Sequence, residues 1–267
     1  YKYASSMYFR KYFLFSKDFI LISAISTVLF VLFYIISVFT PANSVQLDIL
    51  RMCMTLAIFL KVGVFPIYNY LIAKEFKTNI PYSVLLFCYL PFIGVLVFNK
   101  ITEHIITSNE TYQIPIVLFA CVSILSFSLF IARQKSIIKF CGNLSYIVSM
   151  FCMMYMIYFP QDTKNAIILS SFFSISLLAL YSCISMMQLN IGEKKNSIKY
   201  YKGLFLNNRL YSFLFTVSLL SIVFILPSYN SFSFIQMLKD VYTYDKTGII
   251  FIFTVVLALT IVIFKSL

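Results

Sequence analysis

An all-α bundle of about eight membrane-crossing helices is the fold class this sequence predicts, on three observations. The chain of 267 residues is 61% hydrophobic and 11% charged, with a mean hydropathy of +0.92. Soluble domains carry roughly a quarter charged residues. Its apolar residues fall in repeated runs of about 20, the length that crosses a bilayer as a helix. Its basic residues are distributed unevenly between those runs. A single transmembrane domain over residues 1–267 is expected.

The spans read as 12–39, 47–73, 81–98, 115–132, 144–159, 165–189, 210–241 and 247–264. The second and seventh are long, and each contains a proline, Pro66 and Pro227. Proline removes a backbone hydrogen bond and frees a carbonyl, so both helices are expected to be broken there. Alternating the spans across the bilayer puts fifteen of the 21 Lys and Arg residues on the side of the N-terminus and five opposite. Cytoplasmic or matrix loops are the ones that carry such an excess. Both ends are therefore expected on that side, and the positive-inside bias accounts for the net charge of +12.

Several chemistries are excluded by what the runs lack. The basic residues lie in short loops, not on the face of a soluble fold, which argues against nucleic-acid binding. A bis-histidine cytochrome or a copper-containing oxidase centre needs more than one histidine, and the only one is His104, read here in a loop from Lys100 to Glu110. There is no phosphate-binding glycine loop, and six glycines leave little to build one from. The six cysteines form no CxxC pair and lie mostly in apolar runs, where they read as packing. No metal or cofactor site is expected in the chain.

One stretch remains unexplained by packing: FLKVGVFPIYNY, residues 59–70. Lys61 stands among Leu, Val and Phe, with Gly63 and Pro66 just after it. A lysine at a helix centre costs on the order of 3 kcal/mol on insertion scales. Such a residue usually faces a polar interior, where an ammonium exchanges its proton readily. Gly63 and Pro66 loosen the helix and give water or freed carbonyls access to it. Proton exchange is the reading preferred for Lys61; a lysine that only ties two helices together is the plain alternative. All nine acidic residues map to loops or span ends, so no counter-ion is evident at mid-membrane.

The segment KVGVFPIYNY resembles the K-x-G-x-x-P-aromatic-H-x-W motif of the antiporter-like membrane subunits of respiratory complex I, the subunit 2 branch of NADH:ubiquinone oxidoreductase in particular. Lys61, Gly63 and Pro66 match; Tyr68 stands where the family has His and Tyr70 where it has Trp. Looser likenesses follow in order along the chain: RKYFLF at 10–15, IPYSVLLF at 80–87, ARQKSIIKFCGNLSYIVSM at 132–150, KGLFLNN at 202–208, SLLSIVFILPSYNSF at 218–232 and TIVIFKSL at 260–267.

The resemblance implies a proton-translocating membrane-arm subunit with no redox centre of its own, FMN, iron–sulfur clusters and ubiquinone being held by other subunits. Lys61 and Lys239 would carry protons, with Gly63, Pro66, Tyr68 and Pro227 shaping the helix breaks. It also implies gaps. The family's second lysine falls on Phe92 or Ile93, its last near Ile235, and its glutamate on a helix upstream of RKYFLF. A separate chain supplying the missing helices and an acid for Lys61 is therefore expected, beside the other membrane-arm subunits and lipid. The aromatic balance, 30 Phe and 20 Tyr against no Trp, suits an AT-rich genome and with it the mitochondrial inner membrane. Two other readings stay open: a non-pumping structural subunit of the same arm, and a free-standing cation or solute transporter.

Overall fold

The computed structural model describes residues 21, 24–36, 38–39, 45–62, 88–105, 110–191, 209–222, 228–244 and 246–266. These residues are almost wholly helical. In chain order they form α1 (Ala24–Ile36), α2 (Val45–Val62), α3 (Leu90–Ile105), α4 (Glu110–Arg133), α5 (Ile137–Tyr158), α6 (Lys164–Ile191), α7 (Arg209–Ile222), α8 (Tyr229–Tyr244) and α9 (Lys246–Ser266). The protein is an all-α membrane helix bundle, as its apolar runs predict.

The chain divides into two compact units. One comprises Tyr1–Lys77 and Thr107–Ile116, and holds α1, α2 and the start of α4; the other comprises Thr78–Ile106 and Val117–Leu267. In the first, α2 buries Met54, Ala57, Ile58 and Phe59, one apolar stripe at helical spacing. Thr55 is buried in the same stripe and donates to the Arg51 carbonyl at 3.0 Å. Asp48, in the first turn, is buried and lies 3.7 Å from the Arg51 guanidinium. An acid at that end also complements the helix dipole.

In the second unit α5 is the central helix. Its apolar window is 94% buried, against 50% for α4 and 39% for α6. Helices α3, α6 and α8 pack on it. Aromatic rings fix further neighbours: Tyr146 stacks on Phe127 of α4, and Phe151 on Phe251 of α9. The α5–α6 connection is tight. Asp162 N–H donates to the Phe159 carbonyl at 3.2 Å across a turn that has Pro160 at its second position, where the ring's fixed φ suits it. Thr163 then accepts the first helical bond of α6, from Ile167 N–H.

Eight hydroxyls inside these helices are satisfied without leaving them, while the buried Ser212 and Ser233 hydroxyls find no partner among the described residues. Ser123, Ser145, Ser149, Ser170, Ser174, Ser182, Thr216 and Thr254 each donate to a carbonyl three or four residues earlier. In hydrocarbon no water is at hand for those protons, so the preceding turn takes them. The outward faces are apolar. Leu210, Phe213, Phe232, Ile235 and Phe253 are all at least 60% exposed, a lipid-facing pattern for a multi-pass membrane protein.

The expected boundaries need adjustment at several places. The seventh span is two helices: α7 ends at Ile222 and α8 begins at Tyr229, with Pro227 itself outside the described residues. In the second span, Pro66 likewise lies outside them. Helix α5 begins at Ile137, seven residues before the expected 144, because Ile137, Ile138, Phe140 and Cys141 are buried and carry the polar Asn143 inward with them. Helix α3 continues past Phe98 to Ile105, which places His104 in its last turn and not in a loop. Helix α4 starts at Glu110, with Pro115 in its second turn, where the ring removes one backbone hydrogen bond.

Candidate functional site

Lys61 is the penultimate residue of α2, on the turn that follows the buried Ala57–Ile58–Phe59 stripe. Asp48 is the acid on the same helix, and it lies thirteen residues away. At 1.5 Å per residue that is roughly 20 Å along the axis, too far for an ion pair. Gly63 and Tyr68 lie outside the described residues, as do the two prolines. Cys53, Cys88, Cys121, Cys141, Cys152 and Cys183 are free thiols, all but Cys53 buried.

Lys239 belongs to the other unit, on α8, where its side chain is exposed. Ile235, one turn earlier on the same face, is 64% exposed. The neighbouring acid points the other way. Asp240 is half-buried and its Oδ2 accepts a hydrogen bond from the Tyr155 hydroxyl of α5 at 3.1 Å. Asn165, at the start of α6, also reaches that hydroxyl. Three helices thus meet on one phenol–carboxylate contact.

That contact has a measurable weight. A hydrogen bond to a charged group contributes about 1.5–3 kcal/mol. Tyr155→Phe keeps the ring against Phe159, whose centroid is 5.0 Å away, and removes only the hydroxyl. A stability loss of about 1–2 kcal/mol is expected, measured as a lower thermal midpoint of the purified protein. A change below about 0.3 kcal/mol would mean that water replaces the phenol at Asp240.

Polar contacts also mark the start of α8. Asn230 is buried, and its Nδ2 donates to Ser176 Oγ of α6 at 3.1 Å. Ser228 and Ser231 face each other at 3.3 Å across the first turn. Helix α8 therefore opens with its side-chain polar groups directed into the bundle, next to the break that Pro227 signals. Hydrogen bonds between helices are a recurrent means of association within membranes.

Of the two positions onto which the resemblance maps a second lysine, Phe92 is the inward one. It lines a small cavity between α3, α5 and α6, whereas Ile93 is 50% exposed. Neither Tyr155–Asp240 nor Asn230–Ser176 was read from sequence. Their partners are 85 and 54 residues apart, and no local spacing joins them.

Compared with curated proteins one by one, the chain matches none. A family model, however, matches residues 1–260, nearly the whole length. That span takes in the lysine helix, the central α5 and the broken α7–α8 pair alike. The chain belongs to the family of NADH:quinone oxidoreductase and Mrp antiporter transmembrane subunits.

Proposed function

We propose that this chain is a membrane-arm subunit of a proton-translocating NADH:ubiquinone oxidoreductase, of the subunit 2 type, seated in the mitochondrial inner membrane with both ends toward the matrix. The observation that carries the proposal is Lys61, a basic residue on the apolar helix α2 within a chain of this family. Lys61 is the proton-exchanging base. Gly63, Pro66 and Tyr68 shape the helix around it, and Pro227 the second break. Exposed Lys239 serves as the link to the opposite side of the membrane.

The chain carries no redox group in this reading; flavin, iron–sulfur clusters and quinone act in neighbouring subunits and drive it from a distance. Lys61 has no acid within reach along its own helix, and an unpaired buried charge costs several kcal/mol, roughly. An Asp or Glu from a neighbouring polypeptide therefore faces it. That polypeptide packs against α1 and α2 through apolar surface, the exposed Val28, Leu32 and Ile36 of α1 included.

Gentle extraction of the native complex tests this assignment. The chain is expected to co-purify with NADH:ubiquinone reductase activity and with a helix that presents an acid to Lys61. Recovery of the chain apart from that activity, with cation–proton exchange in vesicles, would instead establish the antiporter branch of the family.

A further inference from the structure

The turn between α4 and α5 concentrates positive charge at the foot of an apolar face. Helix α4 ends at Arg133 and α5 begins at Ile137, and Gln134 N–H donates to the Ile131 carbonyl at 3.1 Å within this short connection. Arg133 and Lys135 are exposed, and Lys139 follows in the first turn of α5. No acid occurs in the sequence between Glu110 and Asp162. Leading up to Arg133, α4 presents Leu118, Val122 and Leu129, each more than half exposed. Spacings of four, seven and four residues put these three and Arg133 on one helix face.

The helix end adds to this charge instead of offsetting it. An α-helix carries partial positive charge at its N-terminus, where an acid or a capping side chain is favoured. The first turn of α5 holds no acid and one lysine, and its N-cap Ser136, in extended backbone, makes no side-chain capping bond. Cations gathered around a positive helix end repel it and one another until an anion joins them. A bias of basic residues toward one side of the membrane accounts for cations in this loop. It does not account for a lysine in the first turn of a helix, or for an arginine that ends a lipid-facing stripe.

We infer that this turn binds the phosphate of an anionic phospholipid, whose acyl chain lies along the exposed stripe of α4. Arg133 offers a planar fork of donors to phosphate oxygens, and Lys135 a compact second charge. The Ser136 hydroxyl and the first N–H groups of α5 follow directly in the chain, and they too favour an anion. The length of the stripe fits one leaflet. Val122 and Arg133 are eleven residues apart, roughly 16 Å of helix, against a hydrocarbon core of ~30 Å. A free phosphate would use the charges and leave the stripe bare, whereas a lipid uses both. The site goes beyond the function proposed above: it requires that the chain spans a membrane and takes nothing from the role of Lys61.

The test is a density map of the native complex in nanodiscs of phosphatidylcholine containing a minor fraction of phosphatidylglycerol, beside the same map of an Arg133→Gln/Lys135→Gln variant. In the native complex a phosphate peak is expected within about 2.7–3.2 Å of the Arg133 guanidinium or the Lys135 ammonium, with tail density along Leu129 and Val122. One basic residue facing an anionic headgroup contributes about fivefold in affinity, so the double variant should bind roughly thirtyfold more weakly and lose the peak. Both side chains are exposed, so the variant is expected to fold and assemble. Should it fail to accumulate, Arg133→Gln alone decides: a weakened peak supports the site and an unchanged one overturns it. An empty native site, a protein helix covering the stripe, headgroup density without a tail, or a peak equally strong in pure phosphatidylcholine would each overturn the inference, as would a peak that persists in the double variant.

Discussion

In an assembled complex carrying Lys61→Met, coupled proton translocation is expected to fall by roughly tenfold or more, the scale of loss when a positioned proton-transfer group is removed. Methionine keeps most of the lysine stem and its helix propensity, so α2 should still form and dock. Removing an ammonium from an apolar helix also lowers the cost of inserting it. The variant should therefore assemble at least as well as the parent. The measurement is protons moved per quinone reduced in sealed vesicles, with subunit content checked on the same preparation. Unchanged stoichiometry and turnover in an assembled variant would refute the relay role. Loss of assembly with normal coupling in the residual complex would assign Lys61 to tying helices together. Lys61→Arg separates charge from proton exchange: it keeps the cation but does not release its proton near neutral pH, so translocation should stay low.

Most of the fold was legible because membrane helices announce themselves by length and hydropathy. The seventh span was read as interrupted from Pro227 alone; α7 is described to Ile222 and α8 from Tyr229, with Pro227 outside the described residues. The beginning of α5 was not legible. Lys139, Gly142 and Asn143 lower the local hydropathy, yet Gly142 and Asn143 are buried because the surrounding helices cover that turn. His104 was misplaced for a related reason: a helix can leave the apolar layer and continue as polar residues, and hydropathy marks only the layer.

The candidate site was legible only where a charge interrupts an apolar run. Lys61 stood out against Leu and Phe. The cavity beside Phe92, lined by four serines and five less polar residues, carried a fainter signal, since Ser145 and Ser149 are four apart, as are Ser170 and Ser174, which puts each pair on one helix face. Serine is common enough in such helices that spacing alone does not distinguish a lining from filler. The Tyr155–Asp240 bond left no trace in sequence, because both residues read as ordinary span ends. What joins them is the packing of α8 on α5.

Phe151→Ala is expected to be the most damaging single change in the second unit, costing about 3–5 kcal/mol if the cavity does not collapse. Phe151 is fully buried at the centre of α5. Its ring lies 4.7 Å from Phe234 of α8 and stacks on Phe251 of α9 at 5.9 Å. One side chain thus joins three helices. In a bilayer the usual transfer term is small, because lipid is as apolar as the protein interior, and what holds helices together is close packing. Truncating Phe151 removes the dispersion contacts on every side of its ring and leaves a hole that neighbouring rings are too rigid to fill. Phe253 on α9 supplies the control. It is the same residue type, 68% exposed on the lipid-facing side, and alkyl chains can replace whatever its ring touches. Phe253→Ala should therefore cost less than about 0.5 kcal/mol. Thermal midpoints of the two variants, measured in the same detergent, test the difference. Equal losses at both sites would mean that burial against lipid, and not packing between helices, dominates stability here. The expected outcome is a large fall for Phe151→Ala and almost none for Phe253→Ala, because only the first opens a space that lipid cannot enter.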